Sequence, residues 1–109
     1  VSTFYPSETK FARVNATSDG DNTVVAAVVG KKIRVIGYSL TTTAAGVIAL
    51  QDTTGTPVVH ATLSFAAAGS ASYAGGPLCP AFETASGAGV EISNAAGVDT
   101  LGHLTYIEV

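Results

Sequence analysis

Apolar and polar positions alternate along most of this chain, with the period of two that belongs to β-strands. "FARVN" (11–15) alternates and runs into "TSDGDN" (17–22), a cluster of turn-forming residues. "TVVAAVV" (23–29) is a β-branched run closed by Gly30. "KKIRVIGYSL" (31–40) is the strongest strand signal. Ile33 and Val35 fall on one face, and Ile36, Tyr38 and Leu40 on the other. The pattern predicts burial on both sides, with Gly37 marking a bulge or a close neighbour. "GVIALQD" (46–52) follows the loop "TTTAA", and "TTGTP" (53–57) is a turn. In "VVHATLSF" (58–65), Val59, Ala61, Leu63 and Phe65 face one way and His60, Thr62 and Ser64 the other. "AAAGSASYAGG" (66–76) is low in complexity and is expected to be flexible, and the two prolines of "PLCPAFET" (77–84) allow at best an edge strand. "GVEIS" (89–93) and "LGHLTYIEV" (101–109) complete the set. In the last, Leu101, His103, Thr105, Ile107 and Val109 share one face, and Leu104 and Tyr106 the other.

No stretch carries a helical period. Seven or eight short strands separated by turn signals predict an all-β, antiparallel sandwich or barrel. The last strand is expected to pair with 33–40. Residues 1–10, "VSTFYPSETK", read as a short extended arm, and 11–109 as a single domain. Phe4 and Tyr5, followed by Pro6, are an unusual pair for an exposed arm and are expected to anchor on something.

Composition sharpens this picture. Charged residues are 12% of the chain, about half the usual share of a soluble domain. Hydrophobic residues are 47%, but many are alanine, and there are 12 glycines and no Trp or Met. Small side chains bury little apolar area, so a core built from them is thin. Association is a common way for small folds to gain buried area. A surface that neighbours cover also has little need of charge. Self-assembly, or docking on a larger body, is therefore expected.

Net charge is −3, and the basic residues are Lys10, Arg13, Lys31, Lys32 and Arg34. Nucleic acids call for a basic patch. The Lys31–Lys32–Arg34 group reads as the charged end of a strand, and no nucleic-acid partner is expected. No apolar run reaches the length of a membrane helix, and the first residues contain no apolar leader segment. Cytoplasmic synthesis and no membrane partner are expected.

Catalytic and cofactor motifs do not assemble. His60 has no serine framed as a nucleophile elbow to act on. His103 lies among apolar residues and reads as a core or interface histidine. Zinc would require clustered His and Cys, and the chain has two separated histidines and one cysteine. Cys79, between prolines in "PLCPAF", reads as a buried, inert thiol. Asp19, Asp21 and Asn22 fall short of the EF-hand spacing, which leaves a weak calcium site or, more simply, turn chemistry. The protein is expected to be non-enzymatic and to hold no cofactor.

Two segments, "KKIRVIGYSL" (31–40) and "GHLTYIEV" (102–109), with strands rich in small residues between them, resemble small tailed-bacteriophage head decoration, or cement, proteins. The resemblance spans roughly residues 31–109. It implies a jelly-roll-like β-sandwich that assembles as a homotrimer on the capsid surface, bridges major capsid subunits and stabilises the head without catalysis. On that reading, Phe4, Tyr5, Pro6, Lys10 and Phe11 are candidate capsid contacts, and His60, Thr62, Ser64 and Tyr73 candidate self-association residues. Two alternatives are the receptor-binding tip of a phage fibre and a small carbohydrate-binding module. The fibre tip would continue from a repetitive N-terminal stalk, which residues 1–10 do not show. The module would need an exposed aromatic platform, and Tyr38, Tyr73 and Tyr106 are scattered over separate strands.

Overall fold

A computed structural model describes residues 8–109. These residues form nine strands: β1 (Lys10–Ala16), β2 (Gly20–Val25), β3 (Ile33–Thr42), β4 (Gly46–Asp52), β5 (Val59–Phe65), β6 (Gly69–Ala74), β7 (Phe82–Glu83), β8 (Val90–Asn94) and β9 (Thr100–Glu108). One sheet (sheet A) runs β1-β9-β3-β6, with the two-residue β7 also on β3; the other (sheet B) runs β2-β8-β4-β5. Every pairing is antiparallel. With β7 set aside, the eight strands follow the two interleaved four-strand orders of a jelly roll. The expected sandwich, and the pairing of β9 with β3, are both present.

The inward positions of the strands make the core: Val14, Ile33, Val35, Leu40, Ile48, Leu50, Val90, Ile92 and Leu104 are at most 1% exposed. Polar ties cross between the sheets. Asn94 Nδ2 on β8 donates to the Ala16 carbonyl on β1 (2.9 Å), and Thr100 Oγ1 donates to Asn94 Oδ1 (2.7 Å). Both side chains are buried, so these bonds satisfy groups that would otherwise be costly to enclose.

Backbone irregularities overturn two face assignments and one strand boundary. The β3–β9 register shifts between Val35 and Gly37. The inserted residue brings Ile33, Val35, Tyr38, Leu40 and Thr42 to the same side, so β3 has one core face rather than two. The bulge falls at Ile36, beside Gly37, where a bulge or a close neighbour is expected, and it causes this. A second shift lies between Leu50 and Gln51 on β4, which pair with Ala61 and Val59. His60 is the unpaired residue there, and the bulge turns it inward, away from Thr62 and Ser64. β2 also differs from the expected strand: it starts at Gly20 and ends at Val25, after a bulge at its own Val24 opposite β8. Residues 26–29 are loop rather than strand, because the pairing with β8 ends at Val90, and Val29 is 97% exposed.

Residues 69–74, read as flexible, are instead strand β6, held in register with Gly37–Thr42 of β3. Their small side chains gave no alternation to read, and the central strand supplies the template. Lys10 and Phe11 belong to β1 rather than to an arm, paired with Tyr106 and Thr105 of β9.

Candidate functional site

Two surfaces stand out. The first is the side of the sandwich formed by β5 and β6, the exposed edge strands of their two sheets. From Thr53 to Phe82 the sequence contains no Asp, Glu, Lys or Arg, and this stretch includes both strands. Edge strands usually carry charges, prolines or bulges that block further pairing. Here β5 has its bulge, but β6 has none of these. The Gly75 N–H donates to the Ile36 carbonyl on β3 (2.9 Å). By the two-residue period, Tyr73 and Ala71 also bond β3, and the backbone groups of Ser70, Ser72 and Ala74 point outward.

The core is poorly sealed on this side. The inward residues of β5, namely Ala61, Leu63 and Phe65, are only partly buried, whereas Val14, Ala16 and Val25 on the opposite side are buried. Tyr73 is 37% exposed, and Leu78, in the loop after β6, is 95% exposed.

Of the expected self-association residues, Thr62 and Ser64 are exposed on β5 and Tyr73 is on β6. The Tyr73 hydroxyl donates to the Cys79 carbonyl (2.8 Å). His60 does not join them. Its ring stacks on Phe82, with centroids 5.0 Å apart and planes 7° apart, and its Nε2 lies 3.6 Å from Asp52 Oδ2. That is beyond a hydrogen bond, and Nε2 has no such partner among the described residues. Asp52 is 1% exposed. Burial pushes its carboxyl up, but donation from the Val58 N–H and from the hydroxyl and N–H of Thr54, together with the charge of His60, outweighs burial and holds it below its usual range. Cys79 is exposed, contrary to the buried thiol expected, because its loop runs along the surface beyond β6.

The second surface is the outer face of sheet A. Register places Phe11, Thr105, Gly37 and Ala74 in one row across β1, β9, β3 and β6. Arg13, His103, Ser39 and Ser72 form the next row. With no side chain at Gly37, a groove of about 320 Å³ opens there, lined by Ile36, Ser39, Ser72, Ala74, His103 and Thr105 among others. A Cβ at Gly37 would sit 3.0 Å from both Thr105 Oγ1 and the Tyr73 carbonyl. His103 is exposed, not a core histidine, because the alternation of β9 directs it away from Leu104. Phe11 is 74% exposed. This groove escaped the sequence reading because its residues come from four strands whose register no local pattern encodes.

The remaining candidates are engaged structurally. Asp19 Oδ1 accepts from the Gly97 N–H, Asp21 Oδ1 accepts from Gln51, and Asn22 donates to the carbonyls of Ser18 and Gly20. These side chains fasten a turn and do not converge. Arg34 Nε donates to Glu83 Oε2 (2.7 Å), and Lys32 lies 3.6 Å from the same carboxylate. Arg34 holds the Glu83 carboxyl below its usual range. Lys10 pairs with Glu108 at 3.1 Å, and that bond raises the Lys10 pKa. Phe4, Tyr5 and Pro6 lie outside the described residues.

No family model, curated protein or solved structure matches the chain.

Proposed function

We propose that this protein is a non-enzymatic virion structural protein of the capsid-decoration type, forming a homotrimer on the outer shell and bridging major capsid subunits. The observation that carries the reading is the charge-free side built from β5 and β6. It combines an unblocked strand edge, a thinly sealed core and exposed Tyr73 and Leu78. Surfaces of this kind are stable in water when another polypeptide covers them. The shortage of charge elsewhere in the chain points the same way.

The mechanism is linkage. A protein that binds the assembled shell and not its dispersed subunits stabilises the shell by mass action. Repetition over many equivalent positions multiplies a modest contact. Thr62, Ser64 and Tyr73 are the subunit-facing residues on this reading. Phe11, on the outer face of sheet A, is a candidate contact to the major capsid protein, and residues 4–6 would extend that contact.

Sedimentation equilibrium tests the reading. The wild-type chain is expected to be trimeric at micromolar concentration. Ser72→Lys, at an exposed edge position, is expected to be monomeric with an unchanged circular-dichroism spectrum. A wild-type monomer at that concentration, or a trimer indifferent to Ser72→Lys, refutes it. Binding to shells of the major capsid protein then tests the partner.

A further inference from the structure

The groove on the outer face of sheet A carries a separate inference: its floor and the Arg13–His103 row lie on β1, β9 and β3, and only its β6 wall is shared with the charge-free side. In a chain of net charge −3, the row beside the groove sets Arg13 directly opposite His103 across the β1–β9 pair. Two groups able to carry positive charge on directly opposed positions weaken a sheet unless an anion lies between them. Arg13 has no ion pair among the described residues, and no Asp or Glu stands in the two rows that frame the groove. Glu83, further along the sheet, is occupied by Arg34 and Lys32.

The other groups around the groove narrow the ligand. Ser39, Ser72 and Thr105 supply hydroxyls, and the exposed Phe11 ring stands opposite Thr105, one strand beyond the groove wall. From the floor at Gly37 to Phe11 is two strand spacings, about 10 Å. The groove volume is at the small end of ligand sites, roughly 300–1,000 Å³. The groove floor, Gly37 on β3 and Thr105 on β9, lies on the two central strands, whose backbone groups are paired on both sides. A ligand resting on that floor meets side chains and no free backbone edge, and a sugar is recognised by side-chain hydroxyls, imidazole and an aromatic face.

We propose that this groove binds a carboxylate-bearing saccharide. One ring occupies the space above Gly37 within reach of Ser39, Ser72 and Thr105. Its carboxylate lies between Arg13 and His103, and a neighbouring ring rests on Phe11.

The test is a heteronuclear NMR titration of the full chain with trigalacturonate and with sialyllactose, against maltotriose and lactose as neutral controls. The acidic saccharides are expected to shift the amide signals of Ser39, His103 and Thr105, and the neutral ones to bind at least about tenfold more weakly. Arg13→Gln and Phe11→Ala alter exposed side chains outside the core, and each is expected to weaken binding about tenfold with the spectrum otherwise retained. No shift on this face at about 10 mM saccharide would overturn the proposal, since that limit corresponds to negligible affinity. So would equal binding of neutral sugars, or affinity unchanged in Arg13→Gln. A response to polyglutamate but not to acidic saccharides would assign the face to an acidic polypeptide and equally refute it. None of these results bears on whether the chain trimerises.

Discussion

Asp52→Asn isolates the charge in the buried pair with His60. The amide has the shape of the carboxylate, and its Oδ1 can still accept from the Val58 N–H at 3.1 Å and from the Thr54 hydroxyl at 2.9 Å. What it loses is the charge assistance to those bonds. Hydrogen bonds to a charged group contribute about 1.5–3 kcal/mol, against about 0.5–1.5 for neutral ones. The substitution is thus expected to cost about 1–3 kcal/mol at pH 7. In urea this moves the unfolding midpoint down by about 1 M, for a slope of roughly 1–3 kcal/mol per molar. The pH dependence supplies the sharper readout. The folded pKa of Asp52 lies below its usual value, so the ionised group stabilises the fold above the unfolded pKa of about 3.9. That stabilisation is lost as pH falls through the folded value. The gap between wild type and variant should therefore be constant from pH 7 to about 5 and close below about pH 4. Glu83, whose pKa is also lowered, contributes to both proteins and cancels in the difference. A gap that persists unchanged to pH 2.5, or a variant as stable as wild type at pH 7, would show that the charge of Asp52 does not hold this end of the sandwich.

Other substitutions probe the central strands and the loop beyond β6. Gly102 has φ +139°, and a Cβ there would lie 2.0 Å from the Ser39 carbonyl oxygen; Gly102→Ala is expected to cost about 2–5 kcal/mol through strain and a forced separation of β3 from β9, and a midpoint within error of wild type would contradict it. Leu40 is fully buried; Leu40→Ala is expected to cost about 2–5 kcal/mol in chemical denaturation. Ile36, the bulged residue of β3, is 8% exposed; Ile36→Asp is expected to lower the thermal midpoint by well over 10 °C, since an unpaired buried charge costs about 3–5 kcal/mol. Cys79 is expected to react stoichiometrically with a thiol reagent in the folded, monomeric Ser72→Lys variant, and slow labelling that requires denaturant would place its loop against the body of the fold.

The candidate surfaces were legible only in part. Thr62, Ser64 and Tyr73 stood out as polar-face or aromatic residues, and all three are exposed or nearly so on the β5–β6 side. The charge-free stretch from 53 to 82 could also be read directly from the residue types. Its consequence could not, because it depends on β5 and β6 both being edge strands. Arg13, Gly37, Ser39, Ser72 and His103 are widely spaced in the chain, and only register makes them neighbours.

Alternation along each segment was enough to establish an all-β chain and to put Leu104 and Tyr106 on one face of the last strand, because the two faces of a strand are set by its own backbone. The shortage of charge and large apolar groups likewise belonged to the residue list. Tertiary structure decided the rest. A single extra residue at Ile36 and at His60 reversed which side chains reached the core, and β3 made a strand of the low-complexity residues 69–74. The physical reason is that a strand's neighbour, its register and its bulges are settled by hydrogen bonds between residues distant in the chain, and no local pattern of side chains carries that information.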